Sequence, residues 1–280
     1  MHNLLGRIRS NLRPRMRLLL NALSQRYIWS DITAMAREHC NYNDVAGDVD
    51  PLSFAHAVFG TNEPLTPAPP DFSKKLGSIR SFMPPDAPDS FPSEPSVGRF
   101  LSQLVFYRKP AVVVELGCFV GWASAHLAMA LQANGHGKLY CVDCDQKYLD
   151  ATVTNLKRLG LDGVANTLLG KSTEATLVAS LPNKIDILFI DTSHMYRDTL
   201  DEILLYSSRI GEAGCLVLHD SIRFPGVRRA VAEMSGKFRI LTFGTESGNG
   251  VSVLLNSKKG STPYPTPQIR GFEYWRVKPR

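Results

Sequence analysis

The chain has 280 residues, of which 44% are hydrophobic and 21% are charged, as is usual for a soluble globular protein. Its formal net charge is +6. Much of that excess comes from six arginines in an acid-free start, namely Arg7, Arg9, Arg13, Arg15, Arg17 and Arg26. A nucleic-acid-binding face would spread such charge among aromatics on a folded surface, so we expect no nucleic-acid partner. No run of about 20 apolar residues occurs, so no membrane-spanning helix is predicted.

The basic start of the chain has two interpretations. An Arg-rich, acid-free segment is typical of a transit peptide or a helix lying on a membrane surface. It is equally typical of an accessory helix that packs on a catalytic domain. The five cysteines are an odd number, which argues against a disulfide framework and favours a reducing compartment. We therefore expect a cytoplasmic protein, with organelle targeting as the alternative.

The first 95 residues differ in character from the rest. Helical patches are predicted at about residues 4–28 and 31–40. Nine prolines between residues 60 and 95 make a long regular element improbable there. We interpret residues 1–95 as a helical and Pro-rich extension that serves as a lid, an oligomer contact or a targeting segment.

From residue 96 the apolar pattern becomes regular. Helices are predicted at 97–107, 122–131, 146–159, 172–181 and 195–210, and strands at 111–116, 138–142, 165–169, 185–190, 215–218, 238–243 and 251–255. Strands that alternate with helices predict an α/β fold with a parallel sheet between two layers of helices. The last two strands favour a hairpin with an antiparallel strand at the sheet edge. The fold expected for residues 96–257 is thus a Rossmann-like, doubly wound, mostly parallel seven-stranded sheet, followed by a tail at 258–280.

The first strand leads into a loop with the sequence Glu115-Leu-Gly-Cys-Phe-Val-Gly121. Gly117 allows a tight turn, and Gly121 would remove a Cβ where a ligand approaches the next helix. A dinucleotide site would have G-x-G-x-x-G, whereas this loop has G-x-x-x-G after a carboxylate. Because Glu115 would repel a pyrophosphate but pair with an ammonium group, the loop favours a cationic, amino-acid-bearing ligand. A buried turn without any ligand is the alternative.

Two further strand ends carry polar residues. The second strand ends at Asp143, whose two oxygens can accept both hydroxyls of a ribose. Lys171 and Ser172 follow the third strand, where a polar turn can meet an adenine edge. Three successive strand ends therefore predict a nucleotide-type ligand at one rim of the sheet.

At these residues the chain resembles class I S-adenosylmethionine (SAM)-dependent methyltransferases, especially the small-molecule O-methyltransferases related to catechol O-methyltransferase and to the macrolide-sugar methyltransferases. The resemblance covers about residues 96–255 and rests on the E-L-G-x-x-x-G loop. It implies that Asp143 holds the ribose and that residues 122–124 line the methionine end. The implied cofactor is SAM, with contacts expected at Glu115, Gly117, Phe119, Gly121, Trp122, Ser124, Asp143, Lys171, Ser172 and Asp191.

A second group of candidates follows the fourth and fifth strands. Asp191 and His194 come at the end of the fourth strand, and His219 and Asp220 at the end of the fifth. Both ends emerge at the rim that carries the glycine loop. Carboxylates suit Mg²⁺, whereas imidazoles favour softer ions such as zinc or iron. A metal-bound hydroxyl loses its proton readily, and His194 could accept that proton at neutral pH.

The resemblance implies roles for this second group. In the similar metal-dependent enzymes, an aspartate ending strand four binds Mg²⁺ and a base lies three residues on, which Asp191 and His194 match. Further ligands are implied at Asp220 and the adjacent Ser221, where catechol O-methyltransferase has an amide instead. His219 stands where a macrolide-sugar enzyme can have a carboxylate. Alternatively, His194 or His219 acts without a metal, or Asp191 is a helix cap and His219 a core histidine.

The predicted reaction is methylation of a hydroxyl on a small molecule such as a natural product, a sugar or a phenol. We expect the N-terminal segment, the loop after Asp191 and the aromatic tail at 263–280 to form the acceptor pocket. Because those aromatics can also pack on a second subunit, we expect a homo-oligomer. Two other functions stay open. One is a hydroxylase-like metalloenzyme on the same fold, and the other is a non-catalytic cofactor-binding or assembly protein held at a membrane by its basic start.

Overall fold

The structure is a computed structural model that describes residues 93–245 and 249–256, together with Asp71 and Lys74. The helices expected at 4–28 and 31–40 and the aromatic tail lie outside the described residues. Within these residues the α-helices are α1 (Pro95–Arg108), α2 (Trp122–Asn134), α3 (Gln146–Arg158), α4 (Ala175–Ser180), α5 (Tyr196–Ser207) and α6 (Pro225–Glu233). The strands are β1 (Val112–Leu116), β2 (Lys138–Asp143), β3 (Ala165–Leu169), β4 (Ile185–Ile190), β5 (Ile210–His219), β6 (Phe238–Phe243) and β7 (Val251–Asn256). None of the described helices is long and apolar enough to cross a membrane.

The seven strands form one sheet in the order β3-β2-β1-β4-β5-β7-β6. Strands β1 to β5 are parallel, and β7 runs antiparallel to both of its neighbours. The predicted doubly wound, mostly parallel sheet with a terminal hairpin is confirmed. The edge strand of the hairpin is β6, which pairs antiparallel with β7, and β7 lies between β5 and β6. The burial of Val253 and Leu254, each 0% exposed, suits this inner position.

The strands alternate their side chains between two hydrophobic cores. Val113, Ile187 and Val217 face one core, which also buries the apolar side chains of α1, α2 and α3. Val114 and Leu188, each one residue further along its strand, face the other core, which buries those of α4, α5 and α6. Because both sheet faces are covered by helices, the central strands are apolar throughout, as the three valines of β1 illustrate.

The elements after β4 differ most from the sequence prediction. Helix α6 was not predicted, although Pro225 at its first turn and the buried Val227, Ala230 and Val231 are its signals. The helix expected at 195–210 ends at Ser207, and Ile210 already belongs to β5. Nine residues give a helix too little periodicity to stand out between two strands, which is why α6 escaped notice.

The carboxyl ends of the central strands meet at one rim of the sheet. Backbone hydrogen bonds also join the first residues of the loops that follow these strands. The Gly117 amide donates to Val142 and the Asp191 amide donates to Leu116, each at 2.9 Å. The residues that follow β1, β2 and β4 are therefore fixed relative to one another. In doubly wound folds this rim is where ligands bind.

Candidate functional site

The loop between β1 and α2 depends on its two glycines. Gly117 and Gly121 have φ values of +86° and +81°, a conformation that side chains other than glycine rarely adopt. A Cβ at Gly117 would collide with the Asp191 backbone carbonyl, so the glycine lets β1 and β4 approach at the rim. A Cβ at Gly121 would lie 2.9 Å from the Thr152 side chain. Close packing against α3 is therefore one reason for glycine at position 121, beside the ligand approach that the sequence predicts.

Glu115 is fully buried at the end of β1. Its Oε2 accepts a hydrogen bond from the Ser124 hydroxyl at 2.5 Å, while Oε1 has no hydrogen-bond partner among the described residues. Burial raises the pKa of Glu115 to about 8, and the bond from Ser124 only partly offsets that rise. The Ser124 side chain was expected to line the methionine end of a cofactor, and the structure places it on Glu115. Ser124 therefore positions a carboxylate that still has one oxygen to offer.

Asp143 ends β2 and is 9% exposed. Its Oδ2 accepts from the Phe119 amide at 2.8 Å, and its Oδ1 accepts from the Asp145 amide at 3.0 Å. These bonds hold the carboxylate against the glycine loop. Each oxygen keeps a further lone pair, so the residue can still accept the two hydroxyls of a ribose.

The aromatic residues of the loop pack in different directions. Phe119 has a φ of 48° and its ring lies 4.5 Å from that of Tyr148 in α3. The Trp122 ring lies 4.4 Å from that of His126 and fills the space beside Gly98 of α1. Trp122 therefore belongs to the contact between α1 and α2, whereas Phe119 packs the glycine loop against Tyr148 of α3.

The loops after β3 and β4 are joined by one buried carboxylate. Glu202 of α5 accepts from the Ser172 hydroxyl at 2.5 Å and from the Thr192 hydroxyl at 2.8 Å. Burial raises the pKa of Glu202 to about 7. The predicted adenine-turn residue Ser172 is therefore tied to the loop of Asp191, while its neighbour Lys171 is exposed. The sequence pattern did not reveal Glu202, because its partners are far away in the chain.

Two carboxylates and two imidazoles converge where β4 and β5 end. His194 Nε2 lies 3.1 Å from Asp191 Oδ1 and 2.8 Å from Asp220 Oδ2. His219 Nδ1 lies 3.2 Å from Asp191 Oδ2 and 3.7 Å from Asp220 Oδ2. The structure therefore brings together the four residues that were expected to converge, namely Asp191, His194, His219 and Asp220.

The carboxylates control the protonation of both imidazoles. Burial lowers the pKa of His194, but hydrogen bonds to Asp191 and Asp220 raise it to about 9. Burial likewise lowers the pKa of His219, and Asp191 and Asp220 raise it well above its usual value. In turn, although burial raises the pKa of Asp191, the two imidazoles hold it far below the ordinary range.

The backbone is strained at the same place. His194 and Asp220 have φ values of 61° and 59°, in the left-handed region that residues with a Cβ disfavour. The His194 ring is also stacked on Phe224 at 4.4 Å. Such conformations persist where surrounding contacts hold them and are concentrated at functional sites.

Two contacts with the segment before α1 were missed. Glu94, which is 7% exposed, accepts from His219 Nε2 at 2.7 Å and from the Thr245 hydroxyl at 2.6 Å. The Ser93 hydroxyl donates to Asp191 Oδ2 at 3.1 Å. The sequence interpretation placed both residues in the Pro-rich extension, and the boundary at 95/96 falls one residue inside α1. The extension therefore reaches the site.

Ser221 belongs to a chain of buried hydroxyl groups. Its buried hydroxyl accepts from Ser252 at 2.8 Å, and Ser252 is also bonded to Thr242. The ligand atoms that lie within 4.8 Å of one another belong to Asp191, His219 and Asp220. His219 is therefore a further potential ligand beside the expected Asp191, Asp220 and Ser221.

The donor set fits a divalent cation. His219 Nδ1 and Asp220 Oδ1 are buried atoms without a hydrogen-bond partner among the described residues. Both residues are at least nine-tenths buried, with 4% and 5% of their surface exposed. Leaving such atoms unpaired costs about 1–3 kcal/mol each, and a bound ion would remove that cost.

Comparison with known proteins agrees with this fold. Residues 114–221 match the protein-family model described as Methyltransferase domain. In this match and in the strand order of its sheet, the central part of the chain is similar to class I methyltransferase domains. A catechol O-methyltransferase of Niastella koreensis is 26% identical to it over 130 residues, covering 46% of this chain and 57% of that protein. The chain thus spans little more than half the length of the curated relatives that it matches.

Solved structures support the fold of the methyltransferase domain. The O-methyltransferase from Bacillus cereus, in complex with SAH, aligns with a TM-score of 0.55 at 15% identity, covering 74% of this chain and 96% of that one. The O-methyltransferase TomG from Streptomyces achromogenes, in complex with SAM, aligns with a TM-score of 0.53 at 19% identity, covering 73% and 96%. At these identities the similarity concerns the fold.

Proposed function

We propose that this chain transfers the methyl group of SAM to a hydroxyl oxygen of a small acceptor. The observation that carries the proposal is the meeting of two groups at one rim of the sheet. One group is the glycine loop with Glu115 and Asp143, and the other is the cluster of Asp191, His194 and Asp220. Because both follow strand ends of a methyltransferase domain, a donor and an acceptor would lie side by side there.

The first group suits the parts of SAM. Asp143 would accept the ribose hydroxyls while it holds the Phe119 amide. The unpartnered Oε1 of Glu115 would face the positively charged methionine end. The loop amides of Gly117 and Cys118 are already bonded to Val142, so the loop keeps its shape before a ligand enters. Preformed geometry of this kind reduces the cost of ordering on binding. Lys171 and Ser172 would border the adenine.

The reaction requires removal of a proton. The acceptor oxygen forms a bond to the methyl carbon while the bond between that carbon and sulfur breaks, and the hydroxyl proton passes to a base. We assign His194 as that base. A divalent cation held by Asp191 and Asp220, such as Mg²⁺, would lower the pKa of a bound hydroxyl and offset the charge of both carboxylates. With that charge offset, His194 loses its own proton more readily and can accept one from the acceptor.

The remaining parts of the chain would complete the acceptor pocket. Ser93 and Glu94 already reach Asp191 and His219, so the preceding residues would lie close to the acceptor. We therefore propose that residues 1–95 serve as a lid or oligomer contact around the domain at 96–257, and that the tail at 258–280 adds aromatic contacts. A cytoplasmic homo-oligomer acting in biosynthesis fits this proposal.

The test is transfer of labelled methyl from SAM, in parallel assays with Mg²⁺ and with Mn²⁺, to a panel containing catechol, simple phenols and monosaccharides. Label in at least one hydroxyl acceptor, lost in His194→Ala, is the expected result. SAM binding without label in any acceptor would contradict catalysis and favour a cofactor-binding protein. Turnover without SAM by iron-containing protein would instead favour the hydroxylase alternative.

A further inference from the structure

We propose that His219 is the third ligand of the cation site, that Glu94 orients it, and that the site therefore prefers a first-row transition-metal ion over Mg²⁺. This inference rests on the proposed function only in placing a cation beside Asp191 and Asp220. It concerns residues at which the chain departs from the O-methyltransferases that it resembles.

The distances support His219 as a ligand. Its Nδ1 is 3.2 Å from Asp191 Oδ2 and 3.7 Å from Asp220 Oδ2. Neighbouring ligand atoms around one ion lie about 3 Å apart when each is about 2.1 Å from the metal. The nitrogen makes no hydrogen bond with the described residues although it is this close to a carboxylate. An atom so placed would offer its lone pair to an ion lying between it and the two carboxylates.

Glu94 fixes the imidazole in the state that a ligand needs. It accepts from His219 Nε2 at 2.7 Å, which places a proton on Nε2. Nδ1 of a neutral ring is then free of its proton and can bind a metal. The Thr245 hydroxyl donates to the other oxygen of Glu94 at 2.6 Å and accepts from the Gly250 amide. Glu94, just before α1, and Thr245, in the loop between β6 and β7, thus fix the imidazole on its Nε2 side, opposite the two carboxylates.

The nature of the ligands sets the preferred ion. Two carboxylates alone would suit Mg²⁺, which favours oxygen and keeps several waters. An imidazole in the third position shifts the preference toward manganese, iron, cobalt or zinc. Ser221 would have supplied oxygen, but its hydroxyl is bonded to Ser252. The site therefore has one nitrogen and two carboxylate ligands facing a common centre.

The experiment uses the full chain after treatment with EDTA and dialysis. Titration calorimetry with Co²⁺ and with Mg²⁺ is expected to give an affinity for Co²⁺ at least about 100-fold higher. Pulsed electron paramagnetic resonance of the Mn²⁺-loaded protein is expected to show coupling to a ¹⁴N nucleus. Tighter binding of Mg²⁺ than of Co²⁺, or absence of nitrogen coupling, would overturn the inference.

Four variants identify the nitrogen and the role of Glu94. His219→Asp is expected to keep an ion site, lose the nitrogen coupling and lose most of the preference for Co²⁺. Glu94→Gln is expected to weaken Co²⁺ binding about 10- to 100-fold and keep the coupling. His194→Ala is expected to keep the coupling, and Ser221→Ala to bind Co²⁺ like the wild type. If the nitrogen coupling disappears in His194→Ala but persists in His219→Asp, the nitrogen ligand is His194, and the inference is overturned.

Parallel titration with SAM separates this inference from the proposed function. SAM binding by a protein that takes up neither ion would overturn the inference and leave methyl transfer without a metal, with the two imidazoles balancing the carboxylates. Ion binding with the expected nitrogen ligand but no SAM binding would overturn the proposed function and leave the metal assignment intact.

Discussion

Asp143 shows how one side chain can serve both the protein and a ligand. Its two backbone hydrogen bonds, from Phe119 and Asp145, hold the glycine loop against the end of β2. Hydrogen bonds to a carboxylate contribute about 1.5–3 kcal/mol each, so this residue should account for a large share of nucleoside affinity.

Replacing Asp143 by alanine is expected to weaken SAM binding by about 100-fold or more, because both ribose bonds are lost. Titration calorimetry measures the change. The matched control is Asp145→Ala, which removes the N-cap of α3 but no ligand contact. The control should cost about 0.5–2 kcal/mol of stability and leave the affinity unchanged. Equal affinity in Asp143→Ala and wild type would exclude the ribose assignment.

His194→Ala is expected to lower kcat by about 10²- to 10⁴-fold with little change in SAM affinity, because it removes the proton acceptor and not a cofactor contact. The assay is labelled methyl transfer to whichever acceptor the panel identifies. His136→Ala is the control, since that exposed histidine bonds only backbone carbonyls of residues 109 and 134. A variant at His194 that retains full kcat would rule out the base assignment.

At the scale of elements, the glycine loop is a steric requirement as much as a binding feature. Gly117→Ala is expected to cost about 3 kcal/mol or more, because a left-handed φ and a collision with the Asp191 carbonyl act together. Gly135, at the end of α2, also has a positive φ, but nothing lies within 4 Å of a Cβ added there. Gly135→Ala is therefore expected to lower the free energy of unfolding by only about 1 kcal/mol. Thermal unfolding compares the two variants. Equal losses of stability in the two variants would mean that the close approach of the loop to the Asp191 carbonyl adds nothing to the cost of Gly117→Ala.

Glu202 links the loops after β3 and β4 to α5, and its raised pKa makes that link dependent on pH. Between the ordinary pKa of 4.5 and the folded value of about 7, the folded protein binds more protons than the unfolded chain. Its contribution to stability is therefore present below 4.5 and is lost as the pH rises to about 7. Glu202→Gln, which keeps hydrogen bonds without ionising, is expected to stabilise the protein at pH 8 relative to wild type. Denaturant unfolding at pH 5 and pH 8 measures the difference, and an equal effect at both would refute the titration.

The apolar pattern of the sequence predicts some of the elements that carry the site, but not all of them. The strands up to β4 and the loops after them follow from short continuous apolar runs separated by helical apolar spacing, which is why Asp143, Asp191 and His194 could be placed at one rim. Glu94 could not be found in this way, because it lies among prolines and meets His219 across 125 positions in the chain. The hydroxyl of Ser221 could not be placed either, since its bond to Ser252 depends on β7 lying next to β5, and the apolar pattern does not fix the order of the two hairpin strands.

For the whole molecule, the order of the strands decides where a ligand can bind. The chain moves outward from β1 to β3 on one side and from β4 onward on the other, so its direction reverses between β1 and β4. The Gly117 turn, Glu115 and Asp191 all lie at that reversal. Both groups of candidate residues therefore border the crevice in which doubly wound sheets bind their ligands.

The central claim is that SAM occupies this crevice. Titration calorimetry of the full chain with SAM and with S-adenosylhomocysteine, with and without EDTA, tests it most directly. Both compounds are expected to bind in one-to-one ratio under both conditions and to raise the melting temperature as saturation is approached. Absence of binding by the folded wild-type protein to either compound, with or without EDTA, would contradict the claim.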